Sequence, residues 1–180
     1  LIFAGGQIAI AENNDLNTLL LNLKEVQASL LFGTNFIWQN IYENISKLEN
    51  EDQIFEIITG NGITKGFSIG TLLDKNTVNF FNKYNITLHE LLEYIETAGS
   101  IAVKIQDSSK TWKLLDNIEA YIDKNSEICI KGNFVSTGYY NKPQDNPNLS
   151  ATTGFKTGYI GSLDENGNLK IFEKKKDFIT

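Results

Sequence analysis

The sequence predicts an α/β fold. Three observations carry that prediction. An apolar stripe at helical spacing runs from Ile37 to Leu48, short apolar runs such as Ser29–Leu30–Leu31–Phe32–Gly33 end in turn residues, and beyond Ile101 the chain becomes a series of turn-punctuated β-like runs.

In order along the chain, Leu1 to Ala11 alternates weakly around Gly5 and Gly6 and reads as a short strand or strand end. Asp15 or Asn17 can cap a helix through Leu19, Leu20, Leu23 and Val26, because a short polar side chain there accepts the free N–H groups of the first turn. Ser29 to Gly33 reads as a buried strand closed by a turn. The clearest helix places Ile37, Trp38, Ile41, Tyr42, Ile45 and Leu48 on one stripe, with Gln39, Asn40, Glu43, Asn44 and Lys47 toward solvent. Ile54 to Ile58 reads as a strand leading into the glycine-bearing segment Gly60–Asn61–Gly62–Ile63–Thr64–Lys65–Gly66. Asp74 or Asn76 can start a helix through Val78, Phe80 and Phe81, and Ile86 to Ile95 alternates only partly, so helix and strand are both open there. Later β-like runs at Ile101 to Ile105, Glu127 to Lys131 and Leu169 to Phe172 are separated by turns at Gly132, Gly138, Asn141–Lys142–Pro143 and Asn166–Gly167. The boundary between an α/β half and a mostly β half falls near Gly99.

The chain has 180 residues, 41% hydrophobic and 21% charged, which supports about one domain with a sizeable core and excludes wholesale disorder. Net charge is -6, and all 16 cations are Lys. An acidic chain without Arg is a poor binder of phosphate backbones, so nucleic acid is not an expected partner. No apolar run approaches the roughly 20 residues of a membrane span. The lone Cys129 rules out an internal disulfide and a multi-Cys zinc site, and fits a reducing compartment. Met is absent even from position 1, so the chain reads as an excerpt of something longer. The 21 Asn residues, with abundant Lys and Ile, reflect compositional bias, and single Asn residues carry little weight.

Taken singly, the conspicuous residues do not define chemistry. Gly60 to Gly66 could let backbone N–H groups and Lys65 approach a phosphate, but it fits neither the Walker nor the dinucleotide pattern, and an ordinary turn is the plainer reading. His89 stands alone and reads as structural, Cys129 as a small core residue, and Lys174–Lys175–Lys176 as a solvated face. Ser68, Ser100 and Ser136 lack a nucleophile-elbow context.

The last third is different. It reads Glu127–Ile128–Cys129–Ile130–Lys131–Gly132, Gly138–Tyr139–Tyr140–Asn141–Lys142–Pro143, Gly154–Phe155–Lys156–Thr157–Gly158–Tyr159–Ile160–Gly161, Leu163–Asp164–Glu165–Asn166–Gly167 and Lys174–Lys175–Lys176–Asp177–Phe178–Ile179. In this order and spacing the pieces resemble the end of the large domain of adenylate-forming (AMP-binding) enzymes. That family has a Glu-Ile-x-x-x-Gly strand, a Gly-Tyr-Tyr-Asn turn, a Gly-Trp-x-x-Thr-Gly-Asp loop, an Asp-x-x-Gly hairpin and a Gly-Arg-x-Lys-Asp hinge. The loop from Gly154 to Tyr159 is one residue shorter than the pattern. Upstream, Leu23–Lys24–Glu25–Val26–Gln27 through Gly33, then Trp38, Ile41 and Tyr42, resemble long-chain acyl-CoA synthetases of the bubblegum type, and Phe80–Phe81, Asn85–Ile86 and Glu96–Thr97 resemble the stretch closing on Tyr-Gly-x-Ser/Thr-Glu-Thr. Residues 50–68 and 99–120 fit poorly and look shorter than in family members.

The resemblance implies a fragment of the family's large domain: a partial αβ subdomain over 1–98, then a β-rich, mainly antiparallel subdomain over 99–180 that ends at the hinge to a C-terminal domain. It implies activation of a fatty acid by ATP to an acyl-adenylate and transfer to coenzyme A, with Mg2+ beside the phosphates. It implies a cytoplasmic location and permits peripheral attachment to an intracellular membrane. Carried over residue by residue, the Mg2+-binding Glu falls on Glu96 and the hinge Asp on Asp177. Five positions of the family's nucleotide site are altered. The aromatic expected on adenine falls on Leu92, the glycine after it on Glu93, the phosphate-touching Ser/Thr on Ile95, the ribose-binding Asp on Tyr159, and the nucleotide-binding Arg on Lys174. One phenol cannot replace two carboxylate oxygens, and Lys keeps the charge but loses the guanidinium fork. The phosphate loop is expected upstream of Leu1 and the catalytic Lys after Thr180, so the chain alone is expected to be inactive. The other reading is a noncatalytic relative acting as a binding or interaction module.

Overall fold

The computed structural model describes residues 5–13, 15–50, 52, 55, 62–70, 72–104, 111–141, 149–150 and 154–175. The chain divides into two units, Leu1–Glu90 and Leu91–Thr180.

In the first unit, Asp15 caps helix α1 (Leu16–Val26), its Oδ2 accepting from the Thr18 N–H at 3.0 Å. Gln27 ends the helix in the left-handed conformation. Strand β1 (Leu30–Thr34) follows, then α2 (Asn35–Ile45), which buries Trp38, Ile41 and Ile45. Strand β2 (Lys65–Ile69) pairs in parallel with β1, placing Leu30 beside Lys65 and Thr34 beside Ile69. Asp74 caps α3 (Lys75–Lys83), accepting from the N–H groups of Asn76 and Thr77. Strand β3 (Thr87–Tyr94) begins in this unit, where β2 neighbours it.

Helices α1, α2 and α3 contribute to one core. Leu19 and Leu23 pack with Trp38, Ile41, Ile45, Phe80, Phe81 and Leu88. Trp38 meets Phe81 edge-on at 5.1 Å, and its indole N–H donates to the Phe67 carbonyl at 3.2 Å, satisfying the one polar atom of a buried indole. Gly66 lies directly under this ring; a Cβ there would sit 2.4 Å from Trp38 and 2.5 Å from Leu88. On the opposite sheet face Phe32 stacks on Phe67 at 4.6 Å, and Phe67 on His89 at 5.3 Å.

In the second unit a 3-10 turn at Ile95–Thr97 leads into β4 (Gly99–Lys104), β5 (Thr111–Leu114), β6 (Glu119–Ile122), β7 (Glu127–Lys131), β8 (Leu149–Ser150), β9 (Gly154–Leu163) and β10 (Leu169–Lys174). The order is β4-β5-β10-β9-β7-β6, with the later half of β3 paired to β4 and β8 paired to β9. Among the described residues every pairing in this unit is antiparallel. Its core comprises Leu92, Ile101, Ala102, Trp112, Ile128, Ile130 and Leu169. Cys129 is also fully buried, as a small core residue. Gly154 has φ +70°, and a Cβ there would meet the Ile130 carbonyl oxygen at 2.2 Å, so β9 can approach β7 only with glycine at that point.

The α/β class stands, with three local corrections. Residues 5–11 form no strand: Ile8 and Ile10 are exposed and nothing pairs with them among the described residues. Leu48 lies beyond α2, which stops at Ile45, and is exposed. Most of the strand expected over Ile54 to Ile58 lies outside the described residues; Phe55 is helical and buried, because a short apolar run serves a buried helix as readily as a strand. The ambiguous stretch Ile86 to Ile95 is largely the strand β3, whose alternation buries Leu88, Glu90 and Leu92.

Candidate functional site

Of the expected site residues of the second unit, Tyr159 lies midway along β9, Lys174 ends β10 and Glu96 follows β3. Tyr159 on β9 and Lys174 on β10 are register partners. The next residue's N–H, from Lys175, donates to the carbonyl of the preceding one, Gly158, at 2.7 Å. That bond flanks a non-hydrogen-bonded antiparallel pair, the type whose opposed Cα atoms stand about 4.5 Å apart with side chains on one face. Tyr159, partly buried against the core, and the exposed Lys174 therefore leave the sheet on one face, although 15 positions separate them in sequence.

Glu96 lies in the 3-10 turn after β3. Its carboxylate accepts the Tyr139 hydroxyl, and its carbonyl accepts the Ser136 N–H at 2.7 Å, so the Gly-Tyr-Tyr-Asn turn is fastened to it through Tyr139 and the approach to that turn through Ser136. The hydrogen bond to Glu96 raises the pKa of the Tyr139 phenol. Tyr94, two residues before Glu96, is largely buried; its hydroxyl donates to the Thr157 carbonyl at 3.0 Å, and its ring meets Phe155 at 4.8 Å. Burial drives the Tyr94 pKa strongly upward, reinforced by Tyr159, Glu96 and Glu127, which identifies those three groups as its electrostatic neighbours.

Beneath the Tyr159–Lys174 pair lies Glu127, the first residue of β7, 2% exposed. Its Oε1 accepts the Gly158 N–H at 3.1 Å and its Oε2 the Lys175 ammonium at 3.2 Å. Thr157 donates from Oγ1 to the Ile128 carbonyl at 2.8 Å and accepts the Tyr159 N–H at 3.2 Å, which fixes the backbone entering Tyr159.

Two other positions are placed differently. Leu92 is buried in the core with Ile101 and Trp112 and presents no free surface to a base. Ile95 is 85% exposed, an aliphatic side chain with no hydroxyl to offer a phosphate. Asp177 lies outside the described residues. Sequence reading gave no role to Tyr94, Glu127 or Tyr139. For Glu127 a signal existed, since a carboxylate opening the apolar run Ile128–Cys129–Ile130 must be paired if the strand is central.

A Mg2+ ion needs few protein ligands when a nucleotide supplies oxygens, so the single half-buried carboxylate of Glu96 fits that role through an oxygen not engaged by Tyr139. Among the described residues no group of three or more His, Cys, Asp or Glu is arranged to hold a metal. A cavity of about 510 Å³ opens beside Asn117, Lys131 and Thr137, and none of the carried-over residues lines it. Among the described residues no helix is long and apolar enough to cross a membrane.

No family model matches the chain. It is 24% identical over 179 residues to a long-chain-fatty-acid–CoA ligase of Haemophilus influenzae, covering 96% of this chain and 32% of the relative. It is 30% identical over 153 residues to long-chain-fatty-acid–CoA ligase 1 of Saccharomyces cerevisiae, covering 83% of this chain and 18% of that protein. In structure it resembles the N-terminal domain of FACL13 from Mycobacterium tuberculosis, with a TM-score of 0.69 at 15% identity, covering 89% of this chain and 42% of the other. It also resembles o-succinylbenzoate CoA synthetase from Bacillus subtilis, solved with its acyl-adenylate intermediate, with a TM-score of 0.68 at 16% identity, covering 91% and 34%. The fold is thus that of the N-terminal domain of adenylate-forming enzymes. In sequence the chain is similar to a part of long-chain fatty-acid–CoA ligases, and it spans about a third or less of their length.

Proposed function

We propose that this chain is the nucleotide-facing stretch of a long-chain fatty acid–CoA ligase, whose whole protein forms an acyl-adenylate from ATP and a fatty acid and then a thioester with coenzyme A. One observation carries the reading: Tyr159 and Lys174, the positions where the family's ribose-binding and nucleotide-binding residues fall, are register partners on one face. ATP, when bound, supplies the adenylyl group and the pyrophosphate that departs. Lys174 offers a cation to an anionic oxygen, Glu96 one carboxylate oxygen to Mg2+, and Tyr159 a single hydroxyl to the ribose. The bubblegum-type likeness of the first helices and a cytoplasmic or membrane-peripheral location belong to the same reading. We infer that the stretch by itself does not turn over, because Ile95 brings no phosphate donor and Leu92 is sealed in the core.

That last observation also favours a second reading, a noncatalytic relative that keeps the scaffold as a binding module. Calorimetric titration of ATP with Mg2+ into the chain and into Tyr159→Asp separates the two. The first reading expects weak or no heat from the parent sequence and at least about tenfold tighter binding by Tyr159→Asp, the scale of restoring one charge-assisted hydrogen bond. No binding by a folded Tyr159→Asp chain sinks the nucleotide reading and leaves the binding module.

A further inference from the structure

We propose that Glu127 is a positioning residue for the Tyr159–Lys174 pair, acting through Lys175 and Gly158. The three residues form a closed ring. The Gly158 N–H donates to one carboxylate oxygen of Glu127 at 3.1 Å, the Lys175 ammonium pairs with the other at 3.2 Å, and the Lys175 N–H donates back to the Gly158 carbonyl at 2.7 Å. Gly158 immediately precedes Tyr159, and Lys175 immediately follows Lys174. A single carboxylate therefore grips the outer neighbour of each member of the pair.

The burial makes the grip obligatory. Glu127 is 2% exposed, and a carboxylate withdrawn from water is tolerated only where charge and hydrogen bonds replace its hydration. Lys175 remains half in solvent, with 54% of its side chain exposed, so it reaches inward to Glu127 although water would accommodate it alone. The Lys174–Lys175 run is thus split by role: Lys174 is exposed and pairs in register with Tyr159, and Lys175 is the tether. The two strands meeting here are not held by ladder bonds alone, since β10 carries a bulge between Ile171 and Glu173, just before the pair. An anchor beyond the bulge resets the register that the bulge disturbs. The importance of this anchor to nucleotide handling rests on the function proposed above; the anchor itself does not.

The test reads proximity directly. In the full chain, Tyr159→Cys and Lys174→Cys are introduced together; opposed cysteines in a non-hydrogen-bonded pair lie within disulfide reach. The rate of disulfide formation in a glutathione redox buffer is then compared with Glu127→Gln added and with Lys175→Gln added. Glu127→Gln preserves size and an acceptor for the Gly158 N–H, and Lys175→Gln changes a half-exposed side chain, so at least one background stays folded. Both are expected to slow bond formation about tenfold, the scale of losing one charge-assisted contact. Equal rates in all backgrounds overturn the proposal. Slowing by Glu127→Gln alone also overturns it, because the effect would then bypass the tether. Neither readout involves ATP, so a failed nucleotide titration leaves this result standing.

Discussion

Tyr94 has a measurable role at the scale of a single side chain. Burial, then the neighbouring Tyr159, Glu96 and Glu127, hold its phenol neutral well above its ordinary range. In the unfolded chain the same phenol ionises near pH ~10. The native state therefore keeps a proton that the unfolded state releases, so this contribution to stability is complete below about pH 10 and is lost as pH rises toward the raised native value. Urea melts from pH 8 to 11 should show the parent losing stability more steeply than Tyr94→Phe, although the variant starts lower for want of the hydrogen bond to Thr157. Parallel slopes would remove Tyr94 from the account. The pairing of Tyr159 with Lys174 was not legible in the sequence, because register between strands 15 positions apart is decided by the hairpin between them. The burial of Leu92 was legible in principle: counting by twos from Leu88 puts Glu90 and Leu92 on the same inward face.

At the scale of elements, the helices were the most legible part. The α2 stripe and the caps Asp15 and Asp74 are local signals, and the structure uses all three. Short apolar runs carry no such information, which is why residues 5–11 read as a strand but pair with nothing among the described residues, and why Phe55, read as strand, is helical. The approach of β2 to α2 depends on Gly66, whose missing side chain leaves room for Trp38. Gly66→Ala should cost about 1–3 kcal/mol in chemical denaturation, the usual penalty of overpacking, with a loss of near-ultraviolet ellipticity from the displaced indole. A variant as stable as the parent would show that the ring shifts freely. Asp74→Ala removes an acceptor from two N–H groups and should cost about 0.5–2 kcal/mol. The Thr77 hydroxyl, which donates to the same carboxylate, holds the Asp74 pKa below the ordinary carboxylate value. Its contribution is accordingly present above that ordinary value and disappears as pH falls through the native one.

For the whole molecule, charge and the two cores set expectations. With net charge -6 and no Arg, the chain should pass through immobilised heparin at 0.15 M salt and should not sediment with vesicles rich in anionic lipid. Retention on either surface would reveal a local cationic face strong enough to override the net charge. The hairpin from β9 to β10 turns through Asp164 to Asn168, where the Asp164 carboxylate accepts the Asn166 and Asn168 N–H groups at 2.9 and 2.8 Å. The parallel pair β1 and β2 has no such local closure, because α2 must be traversed before Leu30 can meet Lys65. Loop closure must be completed before a non-local pairing returns any stabilisation. The two kinds of ladder therefore differ in closure cost, and the Asp164 hairpin is expected to form ahead of the β1–β2 pairing. Refolding and unfolding rates of substitutions in β1 and in the Asp164 turn should read that order directly.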